Sequence, residues 1–149
     1  MEKNVAEIMA GIEEMISRHY FACARNMPAD QAFWKKIAAE ETDHARWIRD
    51  LYYKAGEGLV AFNEKRFNKD SLLEFAGKLA CMLEQFQEQS KTFKDALADS
   101  LQIENMLLEK SFFEIFQSDS PGLKEVLSNL STSTKEHRIR IELRLKELG

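Results

Sequence analysis

Four segments of this chain carry apolar residues at alternating three- and four-residue intervals, and each row is interrupted near its middle by a polar side chain. Such spacing follows one face of an α-helix and marks a helix packed in a bundle. A first helix, over about 3–26, has the row Met9, Glu13, Ile16, Tyr20, Cys23, Met27. A second, over about 30–54, has Trp34, Ile37, Glu41, His44, Ile48, Leu51. A third, over about 93–117, has Leu97, Leu101, Glu104, Leu108, Ser111, Ile115. A fourth, over about 122–148, has Leu123, Leu127, Leu130, Thr134, His137, Ile141. The expected fold is therefore all-α.

The punctuation agrees with these spans. Pro28 breaks the chain, and Asp30 stands where a cap for the second helix belongs. Gly56 and Gly58 end that helix. Thr92-Phe93-Lys94-Asp95 opens the third as a capping box, and Ser120-Pro121 puts a cap and then proline at the start of the fourth. Residues 59–91 form a long connection with its own helix, signalled by Ser71-Leu72-Leu73-Glu74 and by Leu72, Phe75, Leu79, Met82 and Phe86. A helix of about 20 residues spans about 30 Å, enough to carry the chain from one end of a bundle to the other. The 149 residues suit a single domain, 1–149, whose two halves look like a degenerate repeat.

Composition narrows the partners. A net charge of −4 without a basic stripe excludes a nucleic-acid footprint. No apolar run approaches the ~20 residues of a membrane span, and Met-Glu-Lys-Asn lacks the apolar stretch of a signal peptide. Cys23 and Cys81 form no C-x-x-C pair. These features lead us to expect a reduced, cytoplasmic protein.

The interruptions carry the chemistry. Glu41 and His44 lie one turn apart and fill two successive core positions of one helix. A buried Glu is rare unless paired or bound to metal. Glu13, Glu104 and His137 interrupt the other rows at matching levels, so the five side chains would converge in the core. Carboxylate and imidazole ligands suit iron, manganese or zinc. Taken singly, each Glu also fits a solvated helix face, and His137 a hydrogen-bonded core histidine. Tyr20 either hydrogen-bonds a site carboxylate or packs with its hydroxyl satisfied elsewhere. His19, off the row, has no assigned role. Trp34 and Trp47 support packing or an interface and identify no ligand, and the two cysteines read as packing residues.

With these residues in view, the chain resembles the rubrerythrin-like branch of the ferritin-like di-iron carboxylate superfamily. The superfamily's site takes one Glu from each of two helices and a Glu-x-x-His pair from each of the other two. The segment around Glu13 and Tyr20 is similar to the family's first helix, and "IAAEETDHARWI" to its second. "ALADSLQIE", ending in Glu104, looks like the third, and "LKEVLSNLSTSTKEH", ending in His137, like the fourth. The resemblance implies a ferritin-like up-down four-helix bundle with a long helical crossover between the second and third bundle helices. It implies Glu13, Glu41, His44, Glu104 and His137 as metal ligands and iron, one or two ions, as cofactor. It implies an oxidoreductase acting on peroxide or oxygen, with a separate electron-transfer protein as partner. Relatives of this type often pair into homodimers, although the sequence carries no interface signal of its own.

The chain departs from the family pattern. The second Glu-x-x-His reads Thr134-Lys135-Glu136-His137, with a hydroxyl in place of a carboxylate. Glu136 lies about 200° further around the helix and does not substitute. Ser111 occupies the place of a counterpart to Tyr20, and the two C-x-x-C pairs that mark the rubredoxin-like domain of rubrerythrins proper do not occur in these 149 residues. The expectation is an intact first half-site and a degenerate second one. The competing expectation is a ferritin-like scaffold that binds one metal or none and acts through protein contacts.

Overall fold

The 3–4 rows build helices in the expected order. A computed structural model describes residues 5–56, 61–62, 69–88, 92–110, 116–117 and 121–148. Within them lie α1 (Val5–Asn26), a 3-10 turn (Pro28–Asp30), α2 (Gln31–Gly56), α3 (Lys69–Glu88), α4 (Phe93–Lys110) and α5 (Pro121–Leu148). Two-residue strands, β1 (Ala61–Phe62) and β2 (Phe116–Gln117), pair antiparallel. Among the described residues the protein is all-α apart from this pairing. No helix among the described residues is long and apolar enough to cross a membrane.

α1 packs along α2 and α4 along α5, while α3 lies against α1 and α2 meets α5. The rows of α1 and α2 are buried as expected: Met9, Ile16, Tyr20 and Cys23 on one, Trp34, Ile37 and Ile48 on the other. α1 also buries a second face. Ile8, Ile12 and His19 are covered, and His19 lies beside Phe86 of α3. α3 contributes Leu72, Phe75, Leu79 and Leu83 to the core. A side chain such as Leu79, fully buried, contributes about 1.5–3 kcal/mol through loss of water contact. Trp34 ties the layers together by stacking on Tyr20 and meeting Phe33 and Phe93 edge-on.

The boundaries carry two corrections. α4 is described as far as Lys110 and does not run through to 117, because Phe116 and Gln117 are engaged with Ala61 and Phe62 across the two-residue ladder. Ser71 is not a cap, since α3 already begins at Lys69 and places Ser71 in its first turn. The other capping box forms as written. The Asp95 amide donates to Thr92 Oγ1 at 3.1 Å and the Thr92 amide to Asp95 Oδ2 at 3.3 Å. A cap of this kind stabilises a helix by about 1 kcal/mol. Gly58, Ser111, Ile115 and Ser120 lie outside the described residues, as do the side chains of Leu51, Leu108, Leu123 and Leu127.

Candidate metal centre

The polar interruptions of the four rows meet in one place. Glu13 from α1, Glu41 and His44 from α2, Glu104 from α4 and His137 from α5 are all buried, and Glu104 and His137 are wholly inaccessible. They form two overlapping triads. Donor atoms of Glu13, Glu41 and His44 lie within 4.8 Å of one another, as do those of Glu41, Glu104 and His137. Glu41 belongs to both. Its Oε2 is 3.4 Å from His44 Nδ1, and its Oε1 is 2.9 Å from His137 Nδ1. His44 Nδ1 is 3.8 Å from Glu13 Oε2, and His137 Nδ1 is 3.5 Å from Glu104 Oε1. The two imidazoles stack with centroids 5.5 Å apart.

A second layer holds these groups. Tyr20 donates to Glu104 Oε1 at 2.7 Å, which decides between the two roles left open by the sequence. His44 Nε2 meets Ser133 Oγ at 2.8 Å. His137 Nε2 meets Glu40 Oε2, and Arg140 donates to the same carboxylate oxygen. Both histidines thus turn Nδ1 towards the carboxylates and anchor Nε2 outside. Hydrogen-bonded anchors of this kind fix the orientation and tautomer of a ligating histidine. Sequence reasoning missed Glu40, Ser133 and Arg140. The available signal was their spacing: Glu40 precedes His44 by four residues, Ser133 precedes His137 by four, and Arg140 follows it by three.

Thr134 is buried, but its hydroxyl donates to Leu130 O at 3.0 Å within α5. This is the usual back-bond of a helical threonine. It takes the hydroxyl proton to the helix backbone and adds no charge to the site.

One oxygen of each of Glu13, Glu41 and Glu104 is buried with no hydrogen-bond partner: in each case Oε2. Three such atoms in one cluster are unusual, because buried polar groups are almost always paired. They are the atoms a cation would satisfy, so the residues present fit a metal ion.

The metal-free site is held together by protons. Burial, and then the neighbouring Glu41, pushes the Glu13 carboxyl up to about 8. Burial and Glu104 also act upwards on Glu41, but its contacts with Glu13, His137 and His44 outweigh them and leave it below the ordinary range. Burial opposes charge on the histidines. Contacts with Glu13 and Glu41 nevertheless raise His44 to about 10, and contacts with Glu104 and Glu41 raise His137 to about 11. Burial and Glu104 push Tyr20 well above its ordinary value.

These shifts fix the pH dependence of the metal-free protein. The histidine contribution is complete below the ordinary value of 6.5 and is lost as pH rises through about 10 and 11. Glu13 acts with the same sign, from 4.5 through about 8. The folded state binds more protons across this range, so stability falls as pH rises. Chelator-treated protein should therefore melt at a lower temperature at about pH 9 than at about pH 6. A rise over that interval in a thermal melt would contradict the assignment.

The chain matches no family model, no curated protein and no solved structure.

Proposed function

We propose that the chain is a ferritin-like four-helix bundle of rubrerythrin type, and that it is a non-haem metal-binding oxidoreductase acting on peroxide or oxygen. The ligands in this reading are Glu13, Glu41, His44, Glu104 and His137, with Glu41 shared between two positions. The cofactor is iron, in one or two ions, and the electrons come from a separate electron-transfer protein. The observation that carries the reading is the pair of overlapping buried triads whose three carboxylates each keep one oxygen without a hydrogen bond.

Bound iron would supply redox chemistry and an open coordination position for the oxidant. The chain's own residues do the rest. Tyr20 holds Glu104 by Oε1 and leaves Oε2 free. Ser133 and Glu40 hold the two imidazoles with Nδ1 inward. Burial keeps bulk water from the cluster. The protons held by Glu13, His44 and His137 must leave when a cation is bound, because ligands coordinate in their deprotonated forms.

Metal content tests the proposal. Stripped protein, reconstituted anaerobically with ferrous ions and passed over a desalting column, should retain about two irons per chain, as the superfamily's site does. The reconstituted protein should then consume peroxide when given a chemical reductant. Protein that retains no iron, zinc or manganese would sink the reading.

One observation favours a second reading, a scaffold that binds a single ion or none. Thr134 offers no carboxylate, and its hydroxyl proton is committed to Leu130. Retention of about one iron without peroxide turnover would support it.

Glu40 gives a finer prediction. A carboxylate behind a ligating histidine raises its basicity, and loss of such a partner typically lowers metal affinity about 10–100-fold. Glu40→Gln should weaken the second position by that order in competition with a chelator of known affinity. Unchanged affinity would show that the Glu40 contact is idle.

A further inference from the structure

A groove of about 520 Å³ lies between α1 and α3, on the side of α1 away from the metal centre. Its apolar surface comes from Met15, Ala22, Ala80 and Leu83, and Phe21 stands at its margin, 37% exposed. Arg18 and Arg25 flank it. The two arginines lie seven residues apart on one helix, about 10 Å along its axis, with Ala22 between them. Ala22 is small, so the space above it stays open and both guanidinium groups can lean over it.

These arginines differ from their counterparts. Arg46, Arg49, Arg138, Arg140 and Arg144 are each ion-paired with a carboxylate. Arg18 and Arg25 have no such partner among the described residues. The chain carries a net charge of −4, so carboxylates to neutralise them are abundant. Among the described residues lining the groove the one acidic side chain is Glu84, so two cations face one anion.

We infer that this groove binds a small amphipathic anion, a carboxylate with an alkyl tail. The head sits over Ala22 between Arg18 and Arg25, and the tail lies on Met15, Ala80 and Leu83. The groove is open to solvent along one side, and its volume is large enough to admit a ligand of this size. Arginine binds carboxylates through paired, charge-assisted hydrogen bonds, which suits the head. This site is separate from the metal centre and does not depend on metal binding.

Titration calorimetry with decanoate, below its micelle concentration, tests the inference on the whole protein. Saturable binding is expected. Replacing both arginines with alanine should weaken it by roughly tenfold or more, since charged hydrogen bonds are lost. Glu84→Gln should tighten it, because a like charge near the head is removed. Ala22→Phe should abolish it while keeping both cations, and decyltrimethylammonium should not compete. Arg18 and Arg25 are exposed, so circular dichroism should show the variants folded. No saturable binding, or equal binding by the double-alanine variant, would overturn the inference. So would self-association in sedimentation that the same substitutions remove, because the groove would then be an interface between copies of this chain.

Discussion

Replacing Glu41 with alanine should empty both proposed metal positions at once. Glu41 is the member common to the two triads, so its loss leaves each with two donors. Glu13→Ala and Glu104→Ala each remove a donor from one triad only, and should leave the other able to retain an ion. Elemental analysis of the three variants separates these outcomes. Retention of half the wild-type metal by Glu41→Ala would show that the positions do not share it. The same variant should also weaken the metal-free protein. Both imidazoles lie within 3.4 Å of the Glu41 carboxylate, and without it two buried cations lose a main partner. Removing one member of a buried pair typically costs about 3–5 kcal/mol. For a domain of this size the melting temperature should fall on the order of 10 °C.

Thr134→Glu should change the sign of its effect with metal. Thr134 is buried one turn before His137, on the same face of α5. A glutamate there completes the second Glu-x-x-His and supplies a fourth carboxylate, matching the charge of two divalent ions. In the presence of ferrous iron under anaerobic conditions the variant should hold its metal more tightly than wild type, against a competing chelator, and melt at a higher temperature. Without metal it adds an acid to a dry cluster already crowded with carboxylates. It also gives up the back-bond to Leu130. The metal-free variant should then melt below wild type, because the new carboxyl must be neutralised or leave a charge unpaired. Destabilisation of equal size with and without iron would place Thr134 away from any metal.

Much of this arrangement is legible in the chain. A carboxylate standing in an apolar row is conspicuous because its neighbours fix the phase of the helix, and that is how Glu13, Glu41 and Glu104 can be found. The capping box at Thr92 and Asp95 is legible because it is local. Glu40 is not legible in the same way. Its side chain is partly exposed, it reads as one more charge on a solvated face, and the histidine it holds is 97 residues away. His19 escapes because one row per helix assumes one packed face, whereas α1 is covered on a second side by α3. The end of α4 escapes because the 3–4 row continues through Ile115. Helical period alone cannot foresee that Phe116 and Gln117 pair with Ala61 and Phe62.

The division of the triads along the chain has a consequence for biosynthesis. Glu13, Glu41 and His44 all belong to the α1–α2 hairpin, whereas Glu104 and His137 follow much later. At about 5–20 residues per second, a ribosome needs roughly 5–20 s to proceed from His44 to His137. For the part of that interval after the hairpin has cleared the ribosome, it carries the first triad with its α4 and α5 covering not yet made. Under the proposed metal-binding reading, the first triad would meet whatever cations the surroundings offer before the second exists, and the closing of α4 and α5 over Glu41 would be the step that seals in the choice.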